Sequence, residues 1–164
     1  MEKTYLTLKE KITFPLAAFG RSGVYTIMSM FLLIFYTDAA GLDPIHAGNI
    51  ILAGRIFDAL NDPLMGMIVD RTHSKWGKMR PYLLFSPVPI AVTTILLFFA
   101  PQFSSYSAKV AYAAVTYILW GIAFTIQDVP FWGLSSVITP NEVERTRFLS
   151  NGRLGSTAGG ILPT

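Results

Sequence analysis

The chain has 164 residues, of which 52% are hydrophobic and 14% charged, and its mean hydropathy is +0.47. An ordinary soluble domain is about 25% charged, so this composition describes a polytopic membrane protein. The absence of cysteine excludes disulfides and thiolate metal sites, His46 and His73 lack metal-ligand spacing, and the net charge of +3 follows membrane topology rather than a nucleic-acid-binding patch. No cofactor and no nucleic-acid partner are expected.

The first apolar stretch, residues 14–36, follows Lys3, Lys9 and Lys11. It is longer than the core of a signal peptide and carries Arg21, so it reads as a retained helix. Stretches 44–70, 81–100 and 108–138 each supply the ~20 residues that cross a bilayer. The fifth, 148–164, stops at Ile161-Leu162-Pro163-Thr164 without a cap or polar tail, and the chain reads as the incomplete N-terminal lobe of a longer protein.

Basic residues gather at the N-terminus, in the second connection (Arg71, Lys75, Lys78, Arg80) and in the fourth (Arg145, Arg147). The first connection has Asp38 and Asp43, and the third has Lys109. The positive-inside rule puts the N-terminus in the cytoplasm of a multi-pass protein of the cytoplasmic membrane. The expected fold class is all-α: a membrane helical bundle with four complete transmembrane helices and a truncated fifth.

Within stretch 44–70, Arg55, Asp58, Asn61 and Asp62 stand where a spanning helix tolerates almost no polar group, since a charge at the bilayer centre costs roughly 2.5 kcal/mol or more. At 3.6 residues per turn, positions 55, 58 and 62 share one face, with Gly48 and Gly66 on the same side, where neighbouring backbones are expected to come near. Arg55 neutralises one carboxylate. A monovalent cation or a proton would balance the other, with the Asn61 amide oxygen as a further hard ligand. The alternative is a static buried ion-pair network. Arg21 and Arg153, also inside spans, are competing partners for the same carboxylates.

In the fourth span, Thr125, Asp128 and Trp132 recur at helical spacing, and Pro130 frees the carbonyl of Ile126. A carboxylate, a hydroxyl and an indole suit a polyhydroxylated ligand, the indole packing on the apolar face of a sugar ring. Trp132 alone would be an interfacial anchor. At ~1.5 Å per residue from the cytoplasmic ends, Asp62, Asp58 and Asp128 lie ~12, ~18 and ~16 Å deep, consistent with one midplane site. The second connection, from Gly66 through Asp70, Arg71 and Lys78 to Arg80-Pro81, reads as topology signal or as a charge-paired gate.

Arg55-Ile-Phe-Asp58-Ala-Leu-Asn61-Asp62-Pro63, Lys75-Trp-Gly-Lys78 with Arg80-Pro81, Asp128-Val-Pro130-Phe-Trp132 and Phe35-Tyr-Thr-Asp38 before Gly41-Leu42 together resemble the glycoside-pentoside-hexuronide:cation symporters of the major facilitator superfamily, in their melibiose-permease-like form. The likeness covers nearly the whole chain. It implies a twelve-helix transporter that moves a sugar with Na⁺, H⁺ or Li⁺ by alternating access, its opposite wall supplied by a missing C-terminal half. It also implies that Asp58 and Asp62 bind the cation, with Asn61 and Thr125 nearby; that Asp128, Trp132 and Arg153 contact sugar; and that Arg55 belongs to a charge network. In place of a Lys-Asp pair in the first helix the chain has Arg21-Ser22. That departure implies a different glycoside, a pentoside or an acidic sugar. The rival readings are a non-transporting membrane sensor or inactive fragment, and an intramembrane aspartyl protease, whose Tyr-Asp and Gly-x-Gly-Asp motifs are absent.

Overall fold

A computed structural model describes residues 5–163; Lys3 and Thr164, which entered the topology and the last predicted stretch, lie outside them. The described residues form helices α1 (Leu8–Ile34), α2 (Pro44–Arg71), α3 (Arg80–Phe85), α4 (Pro87–Leu97), α5 (Tyr106–Val137) and α6 (Glu142–Ile161), with no strand among them. Two continuous helical segments, Leu8–Ala39 and Tyr106–Val137, have both the length and the mean hydropathy (1.4 and 1.5) to cross a membrane. The predicted 44–70 stretch is one helix of 28 residues, but its polar cluster lowers its hydropathy. The predicted 81–100 stretch is divided at Ser86. Pro87 and Pro89 each remove a backbone donor, which interrupts the ladder where a continuous span was expected.

Local chemistry sets the helix ends. Asp43 caps α2, its Oδ1 accepting from the Ile45 N–H at 2.8 Å, with Pro44 in the first turn. Asn141 caps α6 by accepting from the N–H groups of Val143 and Glu144. Between α2 and α3, Gly77 takes φ +88, a left-handed conformation that other residues rarely adopt, and its N–H closes a turn onto the Ser74 carbonyl. The first predicted stretch overshoots its expected end at residue 36. Phe35–Ala39 forms a π-helical turn, in which the Ala40 N–H donates to the Phe35 carbonyl. The Tyr36 hydroxyl, on a ring only 1% exposed, donates to the Ala113 carbonyl at 3.0 Å and holds that turn to α5.

The described residues divide into two compact units, 5–31 with 132–163, and 32–131. In the first, α6 meets α1 through glycines. A Cβ on Gly155 or Gly159 would collide with the Pro15 or Phe19 carbonyl, and one on Gly152 with the Phe14 ring. Small residues spaced three and four apart bring two helix backbones together in this way. Phe14 stacks on Phe148 at 4.1 Å, and the Ser22 and Ser156 hydroxyls hydrogen-bond. Ahead of the apolar 148–164 stretch, the Glu144 carboxylate accepts from the N–H groups of Tyr5 (3.0 Å) and Leu6 (3.2 Å) and from the Thr139 hydroxyl (3.0 Å), and pairs with Lys11 Nζ at 3.1 Å.

In the second unit, α5 packs against α2 and α4. The Trp120 indole N–H donates to Thr94 Oγ1 at 3.0 Å, and the Tyr112 hydroxyl donates to the Leu96 carbonyl at 2.8 Å. On α2 the buried residues Ala47, Ile50, Gly54, Met65 and Val69 recur at three- and four-residue multiples, the stripe of a helix buried on one side.

Candidate functional site

The site begins with the angular position of each polar residue on α2. Successive residues turn about 100°, so Asp58 falls within the stripe that carries Gly54 and Met65, whereas Arg55 and Asp62 fall on its edge. Their burial agrees: Asp58 and Asn61 are half-buried, and Arg55 and Asp62 are exposed. The Gly54 face is closed by Tyr117 of α5, whose ring occupies the space a Cβ would need. One turn on, Gly121 of α5 receives Asp58: a Cβ there would lie 2.7 Å from Asp58 Oδ1. One further turn brings the buried Thr125, whose hydroxyl donates to Asp62 Oδ1 at 3.0 Å. Positions 117, 121 and 125 thus form one α5 face that meets both α2 carboxylates.

The electrostatic neighbourhood is local. Asp58 feels Asp62 and Arg55 most strongly among the charged groups, and Tyr117 feels Arg55 and Asp58. Two carboxylates and a hydroxyl beside one arginine make a hard oxygen donor set suited to an alkali ion or a proton. Asn61 points about 100° away from Asp62 around the helix and makes no side-chain hydrogen bond among the described residues.

The predicted close approach at Gly48 and Gly66 is corrected here. Among the described residues, neither has a neighbouring element within 4 Å of a would-be Cβ, and the tight contacts belong to Gly54 and Gly121 instead. The angular argument identified a face of α2 but not which neighbour it meets.

The residues assigned to sugar divide between the two units. In the first, the Arg21 guanidinium lies over the Trp132 ring, 5.3 Å from its centroid, and Phe14 meets the same indole edge-on at 6.3 Å. Ser22 is tied to Ser156. Arg153 is exposed and has no ion-pair partner among the described residues. In the second unit, Asp128 is half-buried on α5, one turn beyond Thr125. The helix passes through Pro130 without a break. Asp70, Arg71, Lys78 and Arg80, read as a gate, are all exposed, and none forms an ion pair among the described residues.

Sequence reasoning missed Tyr117, Gly121 and the Gly152, Gly155, Gly159 row. The last carried a legible signal, small residues at spacings of three and four.

Residues 13–164 match the family described as MFS/sugar transport protein. The chain belongs to that family. It is 34% identical over its whole length to the inner membrane symporter YicJ of Escherichia coli, of which it covers 35%. It is 39% identical over 142 residues, 87% of the chain, to the putative glycoside/cation symporter YagG of the same organism, covering 31% of that protein. With the glucuronide carrier protein homolog of E. coli it shares 32% over 142 residues, again 31% of that protein. The chain therefore spans about a third of the length of these curated relatives. Their names point to transport rather than catalysis, which removes the protease reading.

Proposed function

We propose that the protein containing this chain is a cation-coupled symporter of a glycoside, pentoside or hexuronide, working by alternating access in the cytoplasmic membrane with its N-terminus in the cytoplasm. Asp58, Asp62 and Thr125 hold Na⁺ or H⁺, with Asn61 completing the oxygen set as α2 turns. Arg55 exchanges carboxylate partners as the cation comes and goes. Asp128, Trp132, Arg153, Arg21 and Ser22 engage the sugar, and Asp70, Arg71, Lys78 and Arg80 form charge pairs in one conformation of a cytoplasmic gate. The C-terminal half of the same transporter supplies the facing wall. Occupancy of the cation site and of the sugar site then reinforce one another reciprocally, as linkage requires.

The observation that carries this reading is the hydrogen bond from Thr125 to Asp62 beside the close seat of Asp58 on Gly121. It joins two helices through groups that a cation would also recruit. Within the sugar class, Arg21 over Trp132 favours an anionic ring: a fixed guanidinium beside an indole offers a charge for a carboxylate and a flat surface for the pyranose. The test is uptake by the full-length protein in proteoliposomes under an imposed Na⁺ or H⁺ gradient. Asp58→Asn and Asp62→Asn each abolish accumulation against a gradient while sparing sugar exchange. Retained gradient-driven accumulation in both variants would overturn the assignment.

A further inference from the structure

The second unit also holds a cavity of about 130 Å³ formed by the π-helical turn, the end of α4 and the start of α5. Its wall is aromatic, from Phe35, Phe99, Phe103 and Tyr112, and it includes Asp38 and Lys109. Three features of this wall constrain what it binds.

Asp38 and Lys109 carry opposite charges into the same cavity, yet they do not pair with each other, and among the described residues neither has another ion-pair partner. Asp38 accepts one hydrogen bond, from the Thr37 hydroxyl at 2.8 Å to Oδ1, which leaves Oδ2 open. Lys109 is half-buried and Asp38 exposed, so a ligand entering the cavity reaches both the ammonium and the carboxylate. A neutral ligand would leave both charges uncompensated, and a simple anion or cation would satisfy only one.

Two rings of the wall, Phe103 and Tyr112, lie tilted against each other with their centroids 5.6 Å apart. Such a wall offers π faces to a cation held at Asp38. The cavity also lies where both long apolar segments, Leu8–Ala39 and Tyr106–Val137, reach their ends, which is the level of a bilayer's polar interface. Phe99 of its wall is 57% exposed, an apolar surface along which a hydrocarbon chain can lie.

We infer that this cavity is a binding site for a phospholipid headgroup carrying a primary ammonium next to its phosphate, a phosphatidylethanolamine-type lipid, with Asp38 and the aromatic wall holding the ammonium and Lys109 the phosphate. The inference rests on the membrane-spanning reading proposed above. The lipid's acyl chains run along the exposed Phe99 side. A bound headgroup joins the π-helical turn to the α4–α5 connection, the outer ends of the helices that carry the candidate transport site.

The experiment is native mass spectrometry of the detergent-solubilised full-length protein titrated with phosphatidylethanolamine, phosphatidylcholine or phosphatidylglycerol. The protein retains phosphatidylethanolamine about tenfold better than either of the others, the ratio worth one charge-assisted hydrogen bond. Asp38→Asn erases the preference over phosphatidylglycerol, and Lys109→Gln weakens both lipids. Equal retention of all three lipids by the unmodified protein overturns the proposal without recourse to variants. An unchanged preference in Asp38→Asn also overturns it, as does displacement of the lipid by a glycoside, which would make the cavity a sugar site. Binding of soluble phosphoethanolamine with no lipid retention would assign the site to a free zwitterion and overturn it likewise. Because the readout is lipid retention, failure of gradient-driven uptake would strike the symport reading and leave this result standing.

Discussion

The hydroxyl of Thr125 donates to Asp62 Oδ1 at 3.0 Å across the α5–α2 contact. The side chain is 4% exposed, so the donor is fixed rather than solvated, and the bond selects one carboxylate oxygen of the pair. On the symport reading proposed above, a cation arriving at Asp62 would find a preformed second oxygen.

Replacing that hydroxyl tests its part. Thr125→Val keeps the shape and removes the oxygen, which costs about 1 kcal/mol for a net hydrogen bond, so the cation concentration for half-maximal uptake rises by about fivefold to tenfold. Thr125→Ser restores it. The measurement is sugar uptake against Na⁺ concentration and against pH in proteoliposomes; equal half-saturation in the Val and Thr forms contradicts a direct role.

Gly121→Ala introduces a Cβ 2.7 Å from Asp58 Oδ1, closer than such atoms approach, so the carboxylate must move off its seat. The expected outcome is a loss of coupled uptake with little loss of stability, because the displaced atom is the free end of a side chain that can shift. Gly48→Ala and Gly66→Ala meet open space and leave uptake near that of the parent. Gradient-driven uptake by the three variants in proteoliposomes, beside their thermal unfolding, separates the cases.

Arg21 gives the prediction on selectivity. Arg21→Gln removes the cation over Trp132 while keeping a hydrogen-bonding side chain, and uptake of a glucuronide falls by tenfold or more, whereas a neutral glycoside is affected far less. Competition between the two sugars in one uptake assay reads the ratio directly. An unchanged ratio removes Arg21 from the specificity site.

Glu144 predicts a dependence on pH. Desolvation pushes its carboxyl up, but the Tyr5 N–H, the Lys11 ammonium, the Leu6 N–H and the Thr139 hydroxyl outweigh that and hold it at about 2, below its ordinary 4.5. A carboxylate lowered on folding stabilises the folded state above its unfolded value, and that contribution is lost as pH falls from about 4.5 toward 2. The melting temperature of the parent therefore drops across this window. Glu144→Gln is less stable at neutral pH and shows a shallower drop.

Helix positions on the chain were readable because membrane helices declare themselves by apolar length, and because three- and four-residue spacing puts Arg55, Asp58 and Asp62 on adjoining parts of one face. Thr125 and Asp128 stood out as polar groups in an apolar stretch. Gly121 did not, since a glycine gives no hint of which side chain will occupy its missing Cβ; nor did Tyr117, whose importance is that it fills the space beside Gly54. Glu144 looked like one more loop acid, because its four donors come from residues up to 139 positions away. The break at Ser86 was locally encoded by Pro87 and Pro89, yet hydropathy averages over it.

The sequence by itself determined that this is an all-helical membrane chain and which residues bear charge inside it, since composition and periodicity are properties of each segment alone, and its motifs carried the resemblance to the family. Only the tertiary structure decided that Thr125 meets Asp62, that Asp58 sits against Gly121, and that Asp38 and Lys109 share a cavity unpaired. Those pairings depend on how one helix is rotated against another. That rotation is set by the steric fit of small residues between helices, a quantity no single segment contains.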